Sequence, residues 1–266
     1  MENVKSENKP NLLKNKDYIL LFIGGLVSRI GNGIHNIALV WYVLDVSGSA
    51  TTTGTILLIS TLPGVIFGPF SGVIADRINR KFLIVGMDII RGLVAIWLGW
   101  MVYTGAASFF HLGLATVLMA ICGSLFNPAV TATIPNIVAD CNLQKANSAE
   151  HFSVNITQII GAAIGGVLIA VVGVSGVFIL NGISFLLSAF SELFIAVPPL
   201  VRKAAEAKVT FIHDLKVGAS YLLQRKDLIA LFAVAIILNF LSTGLFVIGF
   251  PYVFKEMLAV SSKLFG

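Results

Sequence analysis

The stretch Gly72-Val-Ile-Ala-Asp-Arg-Ile-Asn-Arg-Lys81 decides the fold, because its basic residues separate two long apolar segments. These segments run from Thr53 to Ala75 and from Phe82 to Tyr103. A membrane-spanning helix needs about 20 mostly apolar residues, since the hydrocarbon core is about 30 Å thick. The stretch therefore predicts a short loop between two membrane-crossing helices.

The composition of the whole chain agrees with this interpretation. Of its 266 residues, 57% are hydrophobic and only 12% are charged, and the mean hydropathy is +0.92. Soluble domains carry about 25% charged residues. A chain with so few charges cannot cover a water-soluble surface, so we expect the lipid bilayer to surround much of it.

Seven stretches are long and apolar enough to span a membrane. They run from Tyr18 to Leu44, Thr53 to Ala75, Phe82 to Tyr103, Phe109 to Val138, Ala149 to Val172, Val174 to Val197 and Leu228 to Phe254. Backbone groups in lipid must hydrogen-bond within the segment, so each stretch is predicted to be a helix. The expected fold is an all-α integral membrane bundle of six helices followed by a seventh.

This pattern predicts five regions along the chain. They are an amino-terminal segment at 1–17, a six-helix bundle at 18–197, a linker with an amphipathic helix at 198–227, the seventh helix at 228–254 and a final segment at 255–266.

Lysine and arginine fall almost entirely on one side when the loops are numbered alternately from the amino terminus. That side receives Lys5, Lys9, Lys14, Lys16, Arg77, Arg80, Lys81, Lys145 and the basic residues between Arg202 and Lys226. The positive-inside rule places the amino terminus and these loops in the cytoplasm. Topology thus accounts for the net charge of +5, and no nucleic-acid partner is expected.

The loop at 72–81 resembles the G-x-x-x-D-R-x-G-R-K signature of the major facilitator superfamily, and six helices, a basic linker and a further helix also match that family. The matching residues are Gly72, Asp76, Arg77, Asn79, Arg80 and Lys81. Asn79 replaces a glycine, and asparagine tolerates a left-handed backbone, so a tight left-handed turn is expected there. Gly72 lies one turn before Asp76, so we expect a neighbouring helix to pack close to it. The resemblance implies that Asp76 latches against a second, carboxyl-terminal bundle; the alternative is an ordinary positively charged loop.

A second motif, Gly161-Ala-Ala-Ile-Gly165-Gly166, resembles the G-P-x-x-G-G core of the superfamily's antiporter signature, with Ala162 in place of proline. The alternative is helix packing alone, because glycines four residues apart let two helices approach closely. Helix four lacks the R-x-x-x-G signature of many drug and proton antiporters, which argues against their standard proton site.

Charged residues inside the spans are candidates for function, because each costs about 2.5–3.5 kcal/mol at a helix centre. Arg29, Asn32 and Asn36 share one face of helix one, which suits a substrate pathway; the alternative for Arg29 is a structural hydrogen-bond network. Asp88 and Arg91 are spaced for an ion pair within helix three, with a proton-linked or gating role as the alternative.

Two further spans carry polar candidates. Glu192 lies near the end of helix six. It either takes part in coupling or extends its carboxylate to the cytoplasmic membrane interface. Asn155 and Gln158 give helix five a polar stripe. Pro128 and Pro135 predict a kink or a broken turn in helix four.

Within the superfamily, Trp41 near the end of helix one and the run from Leu125 to Asn136 resemble the branch of macrolide-efflux and siderophore-export proteins. That resemblance implies a multi-pass transporter of the cell membrane that exports an amphipathic small molecule in exchange for protons, without a cofactor or metal. Facilitators of this type carry twelve helices in two bundles, so the chain is expected to be a transporter truncated after its seventh helix and lacking its carboxyl-terminal bundle.

Two other classes remain open at this point. One is a lipid-handling protein of the same fold, and the other is a non-transporting membrane receptor or assembly partner. An enzyme is not expected, because no nucleophile and base occur at a recognisable catalytic spacing.

Overall fold

The computed structural model describes residues 12–197 and 224–242, together with the single positions 220, 245, 249, 253 and 254. A short 3-10 turn at Leu12–Lys14 precedes the first helix. The helices are α1 (Lys16–Ser47), α2 (Ala50–Arg77), α3 (Arg80–Tyr103), α4 (Phe109–Ile137), α5 (Asp140–Glu192) and α6 (Lys226–Ser242). Over the described residues no strand occurs, which confirms the predicted all-α fold.

Among the described residues, four helices are long and apolar enough to cross a membrane, namely α2 over Ala50–Gly68, α3, α4 and α5. Helix α1 has ample length at 32 residues, but its polar face lowers its mean hydropathy. Helix α6 extends over 17 described residues, or about 26 Å at 1.5 Å per residue. The predicted linker at 198–227, the end of the seventh span and the segment 255–266 lie mostly outside the described residues.

Helix α5 contains 53 residues and is interrupted at Gly173, whose backbone has φ 72° and ψ 171°. This left-handed φ suits glycine because it has no Cβ. The interruption divides α5 into a first arm, residues 140–172, and a second arm, residues 174–192. They match the predicted fifth and sixth spans, although the first arm begins at Asp140 rather than Ala149. The added turns are polar, so hydropathy marks the bilayer boundary rather than the helix end.

The second arm packs antiparallel to α1. Near the start of α1, the Ser191 hydroxyl donates a hydrogen bond to the Leu20 carbonyl oxygen at 3.3 Å. Farther along α1, the His35 ring lies 4.6 Å from the ring of Phe178. Residue numbers thus rise along α1 as they fall along the second arm.

The first arm packs parallel to α1. Arg29 pairs with Glu150, and farther along both helices Ile37 lies against Gly165. Both arms therefore cover α1, and the second arm also packs on α3, which packs on α4, which packs on α2. Helix α1 makes only slight contact with α2 and α4, and this arrangement leaves a gap between them.

The glycine at 161 permits the closest helix approach in the first arm. A Cβ placed on Gly161 would lie 2.8 Å from the Cα of Gly33, a distance that neither backbone could accommodate without moving. A Cβ on Gly165 would lie 3.3 Å from the Cβ of Ile37, which is a tight contact, and Gly166 is buried. The motif therefore acts in packing the first arm on α1.

One sequence expectation about the local backbone is wrong, and a second is wrong in part. Asn79 does not adopt a left-handed conformation; its φ is −56° and ψ is 116°. The chain turns at Ile78, which is extended, and at Asn79. The Asn79 side chain caps α3 by accepting a hydrogen bond from the Lys81 amide at 3.0 Å. Asparagine thus works here through its side chain rather than through its backbone.

The second concerns α4, where a kink or a broken turn was expected: the helix runs through Pro128 and Pro135 without a broken turn, and the kink stays a prediction. Each proline lacks an N–H and removes one backbone hydrogen bond, but the remaining bonds and the packing against α2 and α3 keep the helix continuous. Near Pro135, the Ala132 carbonyl oxygen accepts bonds from the side chains of Arg80 and Asn136, both at 2.8 Å.

Candidate functional site

A cavity of about 340 Å³ occupies the gap between α1 on one side and α2 and α4 on the other. All five helices from α1 to α5 contribute to its wall. The lining residues are Ser28, Arg29, Asn32, His35, Asn36, Leu39, Leu57, Ser60, Arg91, Thr116, Met119, Ala120, Gly123, Phe126, Asn127 and Phe185.

The polar side of the cavity is the face of α1 that the sequence singled out. Arg29, Asn32 and Asn36 all line it, because a spacing of three, four and seven residues puts side chains on one helix face. Arg91 reaches the same cavity from α3. Four of the predicted pathway residues are thus brought together.

Arg29 is held by two groups on the first arm of α5. Its guanidinium pairs with the Glu150 carboxylate, and its Nη1 donates a hydrogen bond to the Ser153 hydroxyl at 2.7 Å. Both charged side chains are 20% exposed. The pair neutralises Arg29 while leaving it in the cavity wall, so the structural and pathway interpretations of Arg29 are compatible.

Glu150 is the functional candidate that sequence reasoning missed. A helical-spacing signal was present, because Glu150, Ser153, Thr157 and Gly161 recur every three or four residues along the first arm. This face packs on α1, with Gly161 touching Gly33. A carboxylate on the same face as a packing glycine points toward the neighbouring helix.

A second group of charged residues lies between α3 and the second arm. Arg91 Nη1 donates to Asp88 Oδ1 at 3.1 Å, which is the pair expected within helix three. Glu192 is buried, with 1% of its surface exposed, so it does not reach the interface. The Ser188 hydroxyl donates to Glu192 Oε1 at 3.1 Å.

Aromatic rings form the apolar side of the cavity. The Arg91 guanidinium carbon lies 4.5 Å from the centre of the Phe126 ring and 5.1 Å from that of Phe185. Such cation–π contacts stabilise a partly desolvated arginine. The buried ring of His35 also faces the cavity. The wall therefore combines polar groups with large apolar surfaces, as ligand sites commonly do.

Asn155 and Gln158 are not part of this cavity. Both are exposed on the first arm, and the Asn155 amide donates to the His151 carbonyl of its own helix at 2.8 Å. The polar stripe predicted for this helix therefore lies on the outside of the described bundle.

The loop at 72–81 lies at one end of the bundle, away from the cavity. The Asp76 side chain is 70% exposed, and its Oδ1 is 3.6 Å from Arg80 Nη2. Among the described residues, nothing lies within 4 Å of a Cβ built on Gly72. The expectation that a helix packs closely at Gly72 is therefore not met within the part of the chain described here, because α2 presents this face outward.

No group of three or more histidine, cysteine, aspartate or glutamate side chains is placed to hold a metal ion within the described ranges. The free thiols are Cys122, which is buried, and Cys141, which is exposed.

The sequence matches the transmembrane secretion effector family over residues 10–266. It is 26% identical over 223 residues to macrolide efflux protein A of Streptococcus pyogenes, covering 84% of this chain and 55% of that protein. It is 27% identical over 217 residues to the uncharacterised major-facilitator-type transporter YfiS of Bacillus subtilis (strain 168), covering 80% of this chain and 51% of that one.

A third relative is the putative bacilysin exporter BacE of Bacillus amyloliquefaciens, 28% identical over 173 residues, with 63% of this chain and 43% of that protein covered. The chain spans about half the length of the curated relatives that it matches. The family match covers nearly every residue, and the helices and the loop at 72–81 agree with it. The chain therefore belongs to the transmembrane secretion effector family of the major facilitator superfamily, whose members are multi-pass membrane transporters and not enzymes.

Proposed function

We propose that this chain forms the amino-terminal bundle of a proton-driven exporter that moves an amphipathic small molecule out of the cell. The observation that carries the proposal is the cavity of about 340 Å³, with the polar face of α1 on one side and Phe126 and Phe185 on the other. A molecule with polar and apolar faces would match both walls.

The size of the cavity supports a site shared with a second bundle. Pockets for drug-sized ligands have volumes of about 300–1,000 Å³, so this cavity is near the lower limit. Transporters of this architecture bind substrate between two bundles that rock against each other. We therefore assign transport to the chain together with a carboxyl-terminal bundle.

The names of two relatives support the substrate class. One is a macrolide efflux protein and another is a putative bacilysin exporter. Both arginines of the cavity are already paired with carboxylates. A ligand therefore does not need a negative charge to balance them.

The orientation and the loop at 72–81 complete the proposal. The amino terminus and the loops after the second, fourth and sixth membrane segments face the cytoplasm, where basic residues concentrate. The exposed Asp76 carboxylate is available to latch against the second bundle. The candidates for coupling transport to protons are Arg29, Asp88, Arg91 and Glu192. Asn155 and Gln158 would contact the substrate only if it passed along the outer face of the first arm.

The test is an efflux assay in bacteria that lack their own drug pumps. The chain is expressed with its carboxyl-terminal bundle, and cells are loaded with a fluorescent dye or a macrolide. We expect efflux that a protonophore abolishes. Asn32→Leu should reduce it at least several-fold by removing a polar group from the cavity, and Asn136→Leu, on the exposed face of α4, should not.

Absence of energy-dependent efflux for every dye, macrolide and siderophore tested would contradict export. Efflux that persists with a protonophore would contradict proton coupling alone. Lipid movement that continues without any gradient would instead favour the lipid-handling class.

A further inference from the structure

Three ionisable side chains are buried together where α3 packs on the second arm of α5. The exposed fractions are 0% for Asp88, 9% for Arg91 and 1% for Glu192. Burying an uncompensated charge is strongly unfavourable. The three side chains are therefore expected to adopt the protonation state in which their charges sum to zero.

The hydrogen bonds leave part of each carboxyl group unused. Asp88 uses Oδ1 to accept from Arg91, and Glu192 uses Oε1 to accept from Ser188. Within the described residues, Asp88 Oδ2 and Glu192 Oε2 have no hydrogen-bond partner. The Ser188 side chain also lies within interaction range of Asp88, so one hydroxyl adjoins both carboxyl groups.

Among the described residues, Arg91 is the positive charge that remains to balance these two acids. Arg91 faces them from α3, and Arg29 lies within electrostatic range from α1 but already pairs with Glu150. Helix α4 contributes Cys122, whose thiol is neutral in its protonated form. With both acids ionised, Asp88, Arg91 and Glu192 carry a net charge of −1; with one proton bound, they are neutral.

We propose that Asp88 and Glu192 share one exchangeable proton, held beside Arg91, which lines the central cavity. The proton comes from water, binds to one carboxylate oxygen and returns to water on release, and no other bond changes. Two acids that share one site do not both ionise readily. Buried acids within a membrane commonly serve in proton relays.

Arg91 connects this proton to the contents of the cavity. It pairs with Asp88 and also lines the cavity between Phe126 and Phe185. A ligand that moves Arg91 would change the electrostatic environment of the two acids. It would therefore change their affinity for the shared proton. This coupling role rests on the proposed proton-driven export, whereas the presence of the proton does not.

The proton can be detected in the purified full chain by infrared spectroscopy, from the carbonyl stretch of a protonated carboxyl group at neutral pH. We expect the band in the wild type. Both Glu192→Gln and Asp88→Asn should abolish it, because either change leaves one acid facing one arginine. The matched control Asp140→Asn removes an exposed acid at the start of α5 and should leave the band unchanged.

A band that survives in either single variant contradicts a shared proton, as does a wild type without the band. A second measurement covers the case in which Asp88→Asn fails to fold. The unfolding midpoint of the wild type should fall relative to that of Glu192→Gln as pH rises, because losing the proton leaves the group charged. Equal pH dependence of the two proteins contradicts the proposal.

The efflux assay separates the two proposals. If the band behaves as expected and Glu192→Gln also uncouples efflux from protons, the shared proton is the coupling proton. If the band behaves as expected and the same variant exports normally, the proton site stands and its coupling role fails. If no export is found but the band is present, only the proposed function fails.

Discussion

At the scale of single residues, Arg29 illustrates how a charge is accommodated within a bilayer-spanning helix. The Glu150 carboxylate balances its charge, and the Ser153 hydroxyl accepts a hydrogen bond from the guanidinium. Neither residue belongs to α1, so the stability of α1 in the membrane depends on the first arm of α5. A conservative change in Glu150 should therefore affect Arg29 directly.

Replacing Glu150 with glutamine should lower the free energy of unfolding by about 2 kcal/mol, because hydrogen bonds to charged groups are worth about 1.5–3 kcal/mol. Thermal unfolding of the purified chain measures the effect, and a double-mutant cycle with Arg29→Gln isolates the pair. The exposed charge change Lys145→Gln on the same arm should have little effect. Strictly additive single and double variants would rule out direct pairing.

The cap at Asn79 gives a second prediction at this scale. Asn79→Ala should destabilise the protein by about 1 kcal/mol, because the Lys81 amide loses its acceptor, whereas Asn79→Gly should cost only a few tenths. Asn79→Ser should restore most of the wild-type stability by supplying another capping oxygen. If glycine proves better than asparagine, the backbone rather than the side chain determines this turn.

Sequence patterns found some residues of the site and missed others for an identifiable reason. Arg29, Asn32 and Asn36 were predictable because one helix carries all three at regular spacing. Glu150 was missed although it shares a helix face with Gly161, because its importance also depends on which helix that face packs against. A single sequence contains no direct record of that contact.

At the scale of helices, glycine and serine determine how closely the arms of α5 approach their neighbours. Gly161 contacts Gly33 on α1, and Gly182 contacts Gly92 on α3. Without a strong hydrophobic drive between helices in lipid, association depends on close packing of this kind. The two arms therefore hold α1 and α3 in fixed positions around the cavity.

Gly161→Ala should destabilise the bundle by about 1–3 kcal/mol, as expected for overpacking, because its Cβ would meet the backbone of Gly33. Gly113→Ala is the matched control, since nothing lies within 4 Å of a Cβ built there. Alanine favours a helix over glycine by about 1 kcal/mol, so the control should be neutral or stabilising. Opposite signs in unfolding measurements are the expected result, and a stabilising Gly161→Ala would contradict close packing.

The helices were largely predictable, but their ends were not. Hydropathy located the crossings and the break at Gly173, because lipid selects for apolar residues along the whole span. It did not reveal that α5 starts at Asp140, where polar turns extend beyond the bilayer. Nor did the sequence decide between a kinked and a broken α4 at Pro128 and Pro135, where packing compensates for lost backbone bonds.

At the scale of the whole molecule, the alternation of helices fixes which ends lie on the same side of the membrane. The start of α1 and the end of α4 are adjacent, because Asn15 Nδ2 donates to the Ile137 carbonyl at 2.5 Å. The start of α5, and with it Cys141, therefore lies on the same side as the start of α1.

The native cysteines test the proposed orientation. A membrane-impermeant maleimide should label Cys141, which is exposed, in inside-out vesicles and not in intact cells. Cys141→Ser should remove the labelling, since the remaining described thiol, Cys122, is buried. Labelling in intact cells would place the start of α1 outside the cell.

The pairing of Arg29 with Glu150 also has a consequence for biosynthesis, because 121 residues separate the two. At about 5–20 residues per second, a ribosome needs roughly 6–24 s to extend the chain from one to the other. During that interval α1 is in place with an unbalanced guanidinium. We therefore expect α1 to insert stably only after the first arm of α5 has been made, and to depend on the insertion machinery until then.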